Sequence, residues 1–176
     1  LLLLLLAFTV TVLGKRPCGS PYEYANEDSH DRTRRLIVGG NEVPMGKWPW
    51  QVLLKIYYFN VTDMQSYSKN CGGTVISDQW ILTAGHCIPE KNFVAGLAYS
   101  GIVHGHCEEG IDSEKPVISA FKSIIRHPQY TFIQNDIALV KLEDRLHFDE
   151  TLSPVCLPNG DQSIPDDALA VAVGFG

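Results

Sequence analysis

The sequence lacks an excess of positive charge, a CxxC cysteine pair and an apolar run long enough for an ordinary membrane-spanning helix. Its net charge of -6 makes nucleic acid and anionic membranes poor candidates for a main partner. The missing CxxC pair argues against a zinc ribbon or a thioredoxin-type site. Internal repeats and long amphipathic helices are also missing. The 176 residues, 45% of them hydrophobic, suffice for one well-buried domain.

The longest apolar run, residues 1–14, reads LLLLLLAFTVTVLG and is shorter than the roughly 20 residues that a spanning helix needs. Small or modest residues at 12–14 suit a signal-peptidase cut, so we interpret the run as a partial signal peptide. The initiator methionine and the basic leader do not precede it, so we expect the sequence to begin inside that peptide. A buried core helix remains the alternative. The signal predicts a secreted, extracellular protein.

Secretion allows the cysteines to be interpreted as disulfide partners. Their number is odd, so one is free, pairs with another chain, or has a partner outside the sequence. The five are Cys18, Cys71, Cys87, Cys107 and Cys156.

Asn60-Val61-Thr62 matches the acceptor sequence for N-linked glycosylation, between a strand-like run and a polar loop. Such short sequences also arise by chance, so both interpretations remain open.

Short runs rich in β-branched and aromatic residues begin after Ile37, whereas residues 15–36 are polar and suit a pro-segment. Turn signals separate the runs, which predicts an all-β antiparallel barrel or sandwich. Residues 143–170 indicate a long connection, and AVAVGFG indicates another strand at the C-terminal end, so we expect the sequence to be truncated there. The six runs are 50–59, 72–77, 80–84, 93–99, 117–127 and 136–142.

His86 follows the strand-like run WILTA, between Gly85 and Cys87. A Cys71–Cys87 disulfide would restrict its movement and would contribute about 3 kcal/mol in the chain-entropy model. A lone histidine at a strand end is more often a surface or satisfied core residue.

Asp136 precedes the apolar run IALVKL. A carboxylate beside such a run must be paired or hydrogen-bonded. A histidine donating its Nδ1 proton would satisfy it and would fix the imidazole tautomer. The alternative is an aspartate that makes only local backbone bonds.

Six motifs in order resemble the landmarks of the chymotrypsin/trypsin-like serine proteases, over nearly all of residues 37–176. The resemblance implies a trypsin-like double β-barrel, with the first barrel nearly complete and the second mostly missing. It also implies that residues 37–176 form a C-terminally truncated protease domain. The motifs are IVGGNEVPMGKWPWQV, CGGTVIS, WILTAGHC, NDIALVKL, PVCLP and AVGFG.

The resemblance assigns the general base to His86 and its orienting partner to Asp136. The family's serine lies in a GDSGGP-like segment, which the printed sequence does not contain, so we expect this chain alone to be inactive. The resemblance also implies a Cys18–Cys156 bridge.

In the family, cleavage before an IVGG-like sequence frees an amine that folds inward, which makes Ile37 the expected activation terminus. Leu36 stands between Arg35 and Ile37 here. A cut after Arg35 would leave one extra residue, and a cut after Leu36 would need a different activating protease. The sequence leaves both open.

His104, His106 and Cys107 are zinc-ligand types, but three ligands so close together rarely complete a tetrahedron. We therefore predict no metal and no cofactor, and Cys107 has no assigned partner.

The leading hypothesis is a secreted serine endopeptidase, made as a zymogen and hydrolysing peptide bonds by acyl transfer. Expected partners are protein or peptide substrates, an activating protease and protein inhibitors, with no nucleic acid and no membrane. The alternative is a non-catalytic homologue that acts as a secreted binding or regulatory protein. A naturally truncated product is a third possibility.

Overall fold

The computed structural model describes residues 18–19, 43–102, 116–160, 163 and 165–175. Six antiparallel strands form a closed barrel in the order β1-β2-β3-β6-β5-β4. The all-β prediction is confirmed. The elements are β1 (Gln51–Asn60), β2 (Gln65–Ser77), β3 (Trp80–Thr83), a 3-10 helix (Gly85–Cys87), β4 (Phe93–Ser100), β5 (Val117–Arg126) and β6 (Ala138–Leu142).

The barrel is filled by the inward face of each strand, because successive side chains point to opposite faces. On β1 the residues Val52, Leu54 and Ile56 are fully buried. From β6 the same interior receives Val140 and Leu142. This alternation explains why the apolar runs of the sequence located the strands.

Two expectations about the strands were wrong. β2 begins at Gln65, seven residues before the predicted run 72–77, and its added part pairs with the outer half of β1. The strand expected in AVAVGFG does not form in the described residues 170–175. A strand requires a neighbour to accept its backbone hydrogen bonds.

Two disulfides join distant parts of the chain. Cys71 of β2 is bonded to Cys87 of the 3-10 helix. Cys18 is bonded to Cys156, and Gly19 N–H donates to the Pro154 carbonyl at 2.9 Å. Residues 18–19 are thereby attached to the connection that follows β6.

Several sequence predictions lie outside the described residues: the partial signal peptide, the activation terminus Ile37, and His104, His106 and Cys107. No helix in the described ranges has the length and apolar character to cross a membrane.

Candidate active site

His86 and Asp136 lie together because their strands are neighbours. β3 pairs with β6, with Thr83 opposite Ala138 at the end of the ladder. His86 comes three residues after Thr83, and Asp136 comes two residues before Ala138. Antiparallel pairing therefore brings both side chains to the same end of the barrel.

The carboxylate of Asp136 accepts two hydrogen bonds from one residue. The backbone N–H of His86 donates to Oδ1 at 2.7 Å, and Nδ1 of the imidazole lies 2.7 Å from Oδ2. With the carboxylate ionised, Nδ1 carries the proton and Nε2 is left as the basic nitrogen. The imidazole is 54% exposed, so a reacting group can approach it.

These hydrogen bonds hold the pKa of Asp136 below its ordinary value of 3.8. The largest cause is the bond from the imidazole, and the bond from the His86 backbone is next. Both favour the ionised carboxylate. The site is therefore built to keep a negative charge against the imidazole.

Asp136 is presented by a tight loop. Asn135, just before it, has a φ of 55°, in the left-handed region that asparagine tolerates better than most residues. Its side-chain amide donates to the carbonyl of Gln129 at 3.0 Å. The backbone N–H of Ile137 in turn donates to the Asn135 carbonyl at 2.8 Å. These contacts fix the direction in which the next side chain leaves the loop.

Two cationic side chains hold the carbonyl groups around the 3-10 helix. Lys69 Nζ donates to the backbone carbonyl of His86 at 2.9 Å. Partial burial, and secondarily the nearby Arg126, lower the pKa of Lys69. Arg126 donates to the carbonyl of Ile88 and stacks over the Tyr130 ring at 5.0 Å. The backbone on both sides of His86 is therefore anchored to β2 and β5.

Tyr130 also limits the space beside the His86–Asp136 pair. A methyl group on Gly85 would lie 2.8 Å from Cδ2 of this ring and 3.2 Å from Oδ1 of Asp136. A glycine at this position lets the ring and the carboxylate both approach the helix.

Our sequence reasoning missed Lys69, Arg126, Tyr130 and Asn135 as supporting residues. Only Asn135 carried a usable signal, because asparagine tolerates the left-handed backbone region better than most residues. The other three act through contacts between distant segments, which no local pattern shows.

A cavity of about 420 Å³ opens beside Asp136. Its lining includes Ile137, Val173 and the glycine pair Gly72–Gly73, but not His86. The cavity therefore adjoins the carboxylate rather than the basic nitrogen.

Cys71, His86 and Cys87 place sulfur and nitrogen atoms within 4.8 Å of one another. Both sulfurs are used in the disulfide, so they offer no thiolate to a metal.

Comparisons with known proteins identify similar sequences and similar folds. The family model described as "Trypsin" matches residues 37–176. Ovochymase-2 of Mus musculus is 30% identical over 171 residues, which cover 96% of this chain and 26% of that protein.

Two solved structures resemble the fold. HL collagenase is 29% identical with a TM-score of 0.55, covering 71% of this chain and 49% of its own. GrC is 25% identical with a TM-score of 0.59, covering 72% and 51% respectively. This chain thus spans about a quarter of the curated relative and about half of each solved chain. Together with the family match over residues 37–176, these likenesses show that the chain belongs to the trypsin family of serine proteases.

Proposed function

We propose that this chain supplies the histidine and aspartate of a secreted serine endopeptidase. The observation that carries the proposal is the pair of 2.7 Å contacts between His86 and Asp136. They orient the imidazole, fix its tautomer and stabilise the imidazolium that forms during acyl transfer. Trypsin-family membership supports peptide bonds as the substrate class.

In the proposed reaction, Nε2 of His86 removes the proton from a serine hydroxyl as the serine attacks the peptide carbonyl. The same nitrogen then gives the proton to the leaving amine, and water releases the acyl group from the serine. Asp136 stays ionised throughout. We expect the coding sequence of the natural protein to supply the serine in a GDSGGP-like segment, which the printed 176 residues do not contain.

The proposal includes secretion and a zymogen stage. Two disulfides in a chain of this size suit an oxidising compartment. Residues 15–36 would form the pro-segment, and cleavage after Arg35 or Leu36 would start the protease domain at or beside Ile37. The partners would be protein substrates, an activating protease and protein inhibitors.

The test begins with the natural coding sequence and continues with its activated product. We expect a GDSGGP-like segment, labelling of its serine by a fluorophosphonate probe, and peptide hydrolysis. His86→Ala should lower kcat by about 10^4-fold or more. His147→Ala, at an exposed histidine outside the pair, is the matched control and should keep normal activity.

A coding sequence in which that serine is replaced, with no turnover, would overturn the proposal in favour of a binding homologue. Turnover that survives His86→Ala would overturn the assigned base.

A further inference from the structure

The tip of the β1–β2 hairpin carries a polar and aromatic cluster that the proposed catalysis does not use. Asn60 is the last residue of β1, and Val61–Met64 form an exposed turn. Asn60-Val61-Thr62 is the single N-x-S/T sequence in the 176 residues. The acceptor sequence therefore lies where an enzyme can reach it.

Hydrogen bonds hold this turn in one conformation. Asn60 Oδ1 accepts the backbone N–H of Thr62 at 2.9 Å. Asp63 Oδ1 accepts the backbone N–H of Gln65 at 3.1 Å, and Met64 adopts a φ of 58°. The side chain of Asn60 is consequently fixed in direction before any modification.

An aromatic pair lies on the same face of the hairpin. Tyr58 pairs in register with Tyr67, and their rings stack with centroids 5.8 Å apart and planes at 24°. Asn60 comes two residues after Tyr58, so both side chains leave the same face of β1. Tyr67 is 38% exposed, which leaves part of the pair open to solvent.

Asp63 connects the amide to the aromatic pair. Its Oδ2 accepts Nδ2–H of Asn60 at 3.1 Å and the phenol of Tyr67 at 2.5 Å. The asparagine nitrogen and the tyrosine hydroxyl are therefore neighbours on one carboxylate oxygen. A group attached to Nδ2 begins its path near the hydroxyl end of the Tyr67 side chain.

We propose that Asn60 carries an N-linked glycan whose first sugar packs against the Tyr58–Tyr67 pair. The donor is a lipid-linked oligosaccharide diphosphate: a bond forms between Nδ2 and the sugar C1, and the bond from C1 to the diphosphate breaks. The lost Nδ2 proton goes to a base of the transferase. Nδ2 keeps one hydrogen, so the modified amide can still donate to Asp63.

The physical gain comes from the apolar C–H face of the sugar. Such a face packs well on an aromatic ring, and the ring is already oriented by Asp63, so little conformational entropy is lost. The inference rests on the secretory route of the proposed function but not on its catalysis. The glycan proposal can therefore be wrong while the catalytic proposal is right, and the catalytic proposal can be wrong while the glycan proposal is right.

The experiment uses the protein made from its whole natural coding sequence in a secreting eukaryotic cell. We expect the peptide containing Asn60 to carry a glycan that an amide-cleaving glycosidase removes, converting Asn60 to aspartate. Thr62→Val should abolish the modification while keeping the backbone contact to Asn60, and Thr62→Ser should retain it. Unmodified Asn60 in the secreted protein would overturn the proposed glycosylation site.

Packing of the sugar is tested with Tyr67→Ala in the Thr62→Ser and Thr62→Val backgrounds. We expect Tyr67→Ala to lower Tm by about 2–4 °C more when the glycan is present. Equal decreases in Tm in both backgrounds would overturn the packing of the sugar on the ring. Tyr67 would then contribute only through its contacts within the hairpin. If Tyr67→Ala is not secreted, Tyr67→Leu makes the same comparison, because it keeps apolar bulk without the ring.

Discussion

At the scale of single residues, the ionised state of Asp136 is the property on which the site depends. The imidazole and backbone N–H groups of His86 lower the pKa of this carboxyl. A group whose pKa is lower in the folded state contributes stability above its unfolded pKa, and that contribution disappears as the pH falls through the folded pKa. The His86 contact should therefore persist through the weakly acidic range.

Asp136→Asn tests this linkage. We expect the wild type to have the larger free energy of unfolding from neutral pH down to about pH 4, the ordinary range of an aspartate. Below that pH the margin should shrink, because the wild-type carboxyl becomes protonated. Denaturant unfolding of both proteins between pH 2 and about pH 7 measures the margin.

A margin that stays the same at every pH would show that the carboxylate charge contributes nothing at this position. On the proposed function, the same substitution in the activated protein should reduce kcat by about 10^4-fold, which is the loss known for the aspartate of a Ser-His-Asp triad.

Asn135 gives a second prediction at this scale. Asn135→Ala places an alanine at φ 55° and removes the bond to the Gln129 carbonyl, so it should cost about 1–3 kcal/mol of unfolding free energy. Asn135→Gly removes the same bond, but glycine tolerates the backbone angle, so the free energy of unfolding should fall clearly less. Equal losses in the two variants would assign the whole cost to the hydrogen bond.

His86 and Asp136 could be predicted as a pair from sequence, because both stand beside apolar strand runs and match the motifs of one family. Lys69 could not. Its contact with the His86 carbonyl joins residues 17 apart in sequence across the Cys71–Cys87 disulfide. In the sequence, a lysine within a polar run indicates a solvated surface residue. Its contact with the carbonyl depends on the tertiary fold.

At the scale of secondary-structure elements, β4 and β5 pack together where an aromatic ring of one strand covers a glycine of the other. Gly96 of β4 faces Phe121 of β5, and a methyl group at position 96 would lie 2.2 Å from Cδ2 of that ring. The ring also stacks on Phe93, with centroids 6.4 Å apart. Phe121 therefore replaces the side chain that Gly96 lacks.

Gly96→Ala should lower the free energy of unfolding by about 1–3 kcal/mol, because the ring must leave its position. Gly160→Ala, at an exposed glycine with no atom within 4 Å of the added methyl, is the control and should change little. In the double variant Gly96→Ala/Phe121→Leu, the loss should be smaller than the sum of the two single losses. Strict additivity, measured by denaturant unfolding, would contradict the direct clash.

The N-terminal part of β2 could not be predicted from the sequence. Residues 65–71 read QSYSKNC, which has no alternating apolar pattern because most of these side chains are exposed. Their strand geometry comes from ladder bonds to the outer half of β1, from Leu54↔Cys71 to Asn60↔Gln65. Backbone pairing, not side-chain burial, decides the conformation there.

At the scale of the whole molecule, the Cys18–Cys156 disulfide spans 138 positions of sequence and attaches the N-terminal segment to the barrel. Activation at Arg35 or Leu36 would cut the backbone between Cys18 and the barrel. The bond would then hold the two pieces together.

We expect the activated protein to migrate as one species without reductant and as two with it. Cys18→Ser should release the segment without reductant. N-terminal sequencing of the larger piece identifies the cut, with Leu36 first after cleavage at Arg35 and Ile37 first after cleavage at Leu36. Release of the segment from the activated wild type without reductant would contradict the tether.

The sequence by itself determined the all-β class, the family and the approximate positions of the barrel strands apart from the N-terminal part of β2, because the barrel interior demands apolar residues at every second position and the motifs are local. Only the tertiary structure decided which groups meet. The β3–β6 ladder sets His86 against Asp136, and the hairpin register sets Tyr58 against Tyr67. Contacts between segments far apart in sequence depend on barrel closure, and closure is a property of all six strands together.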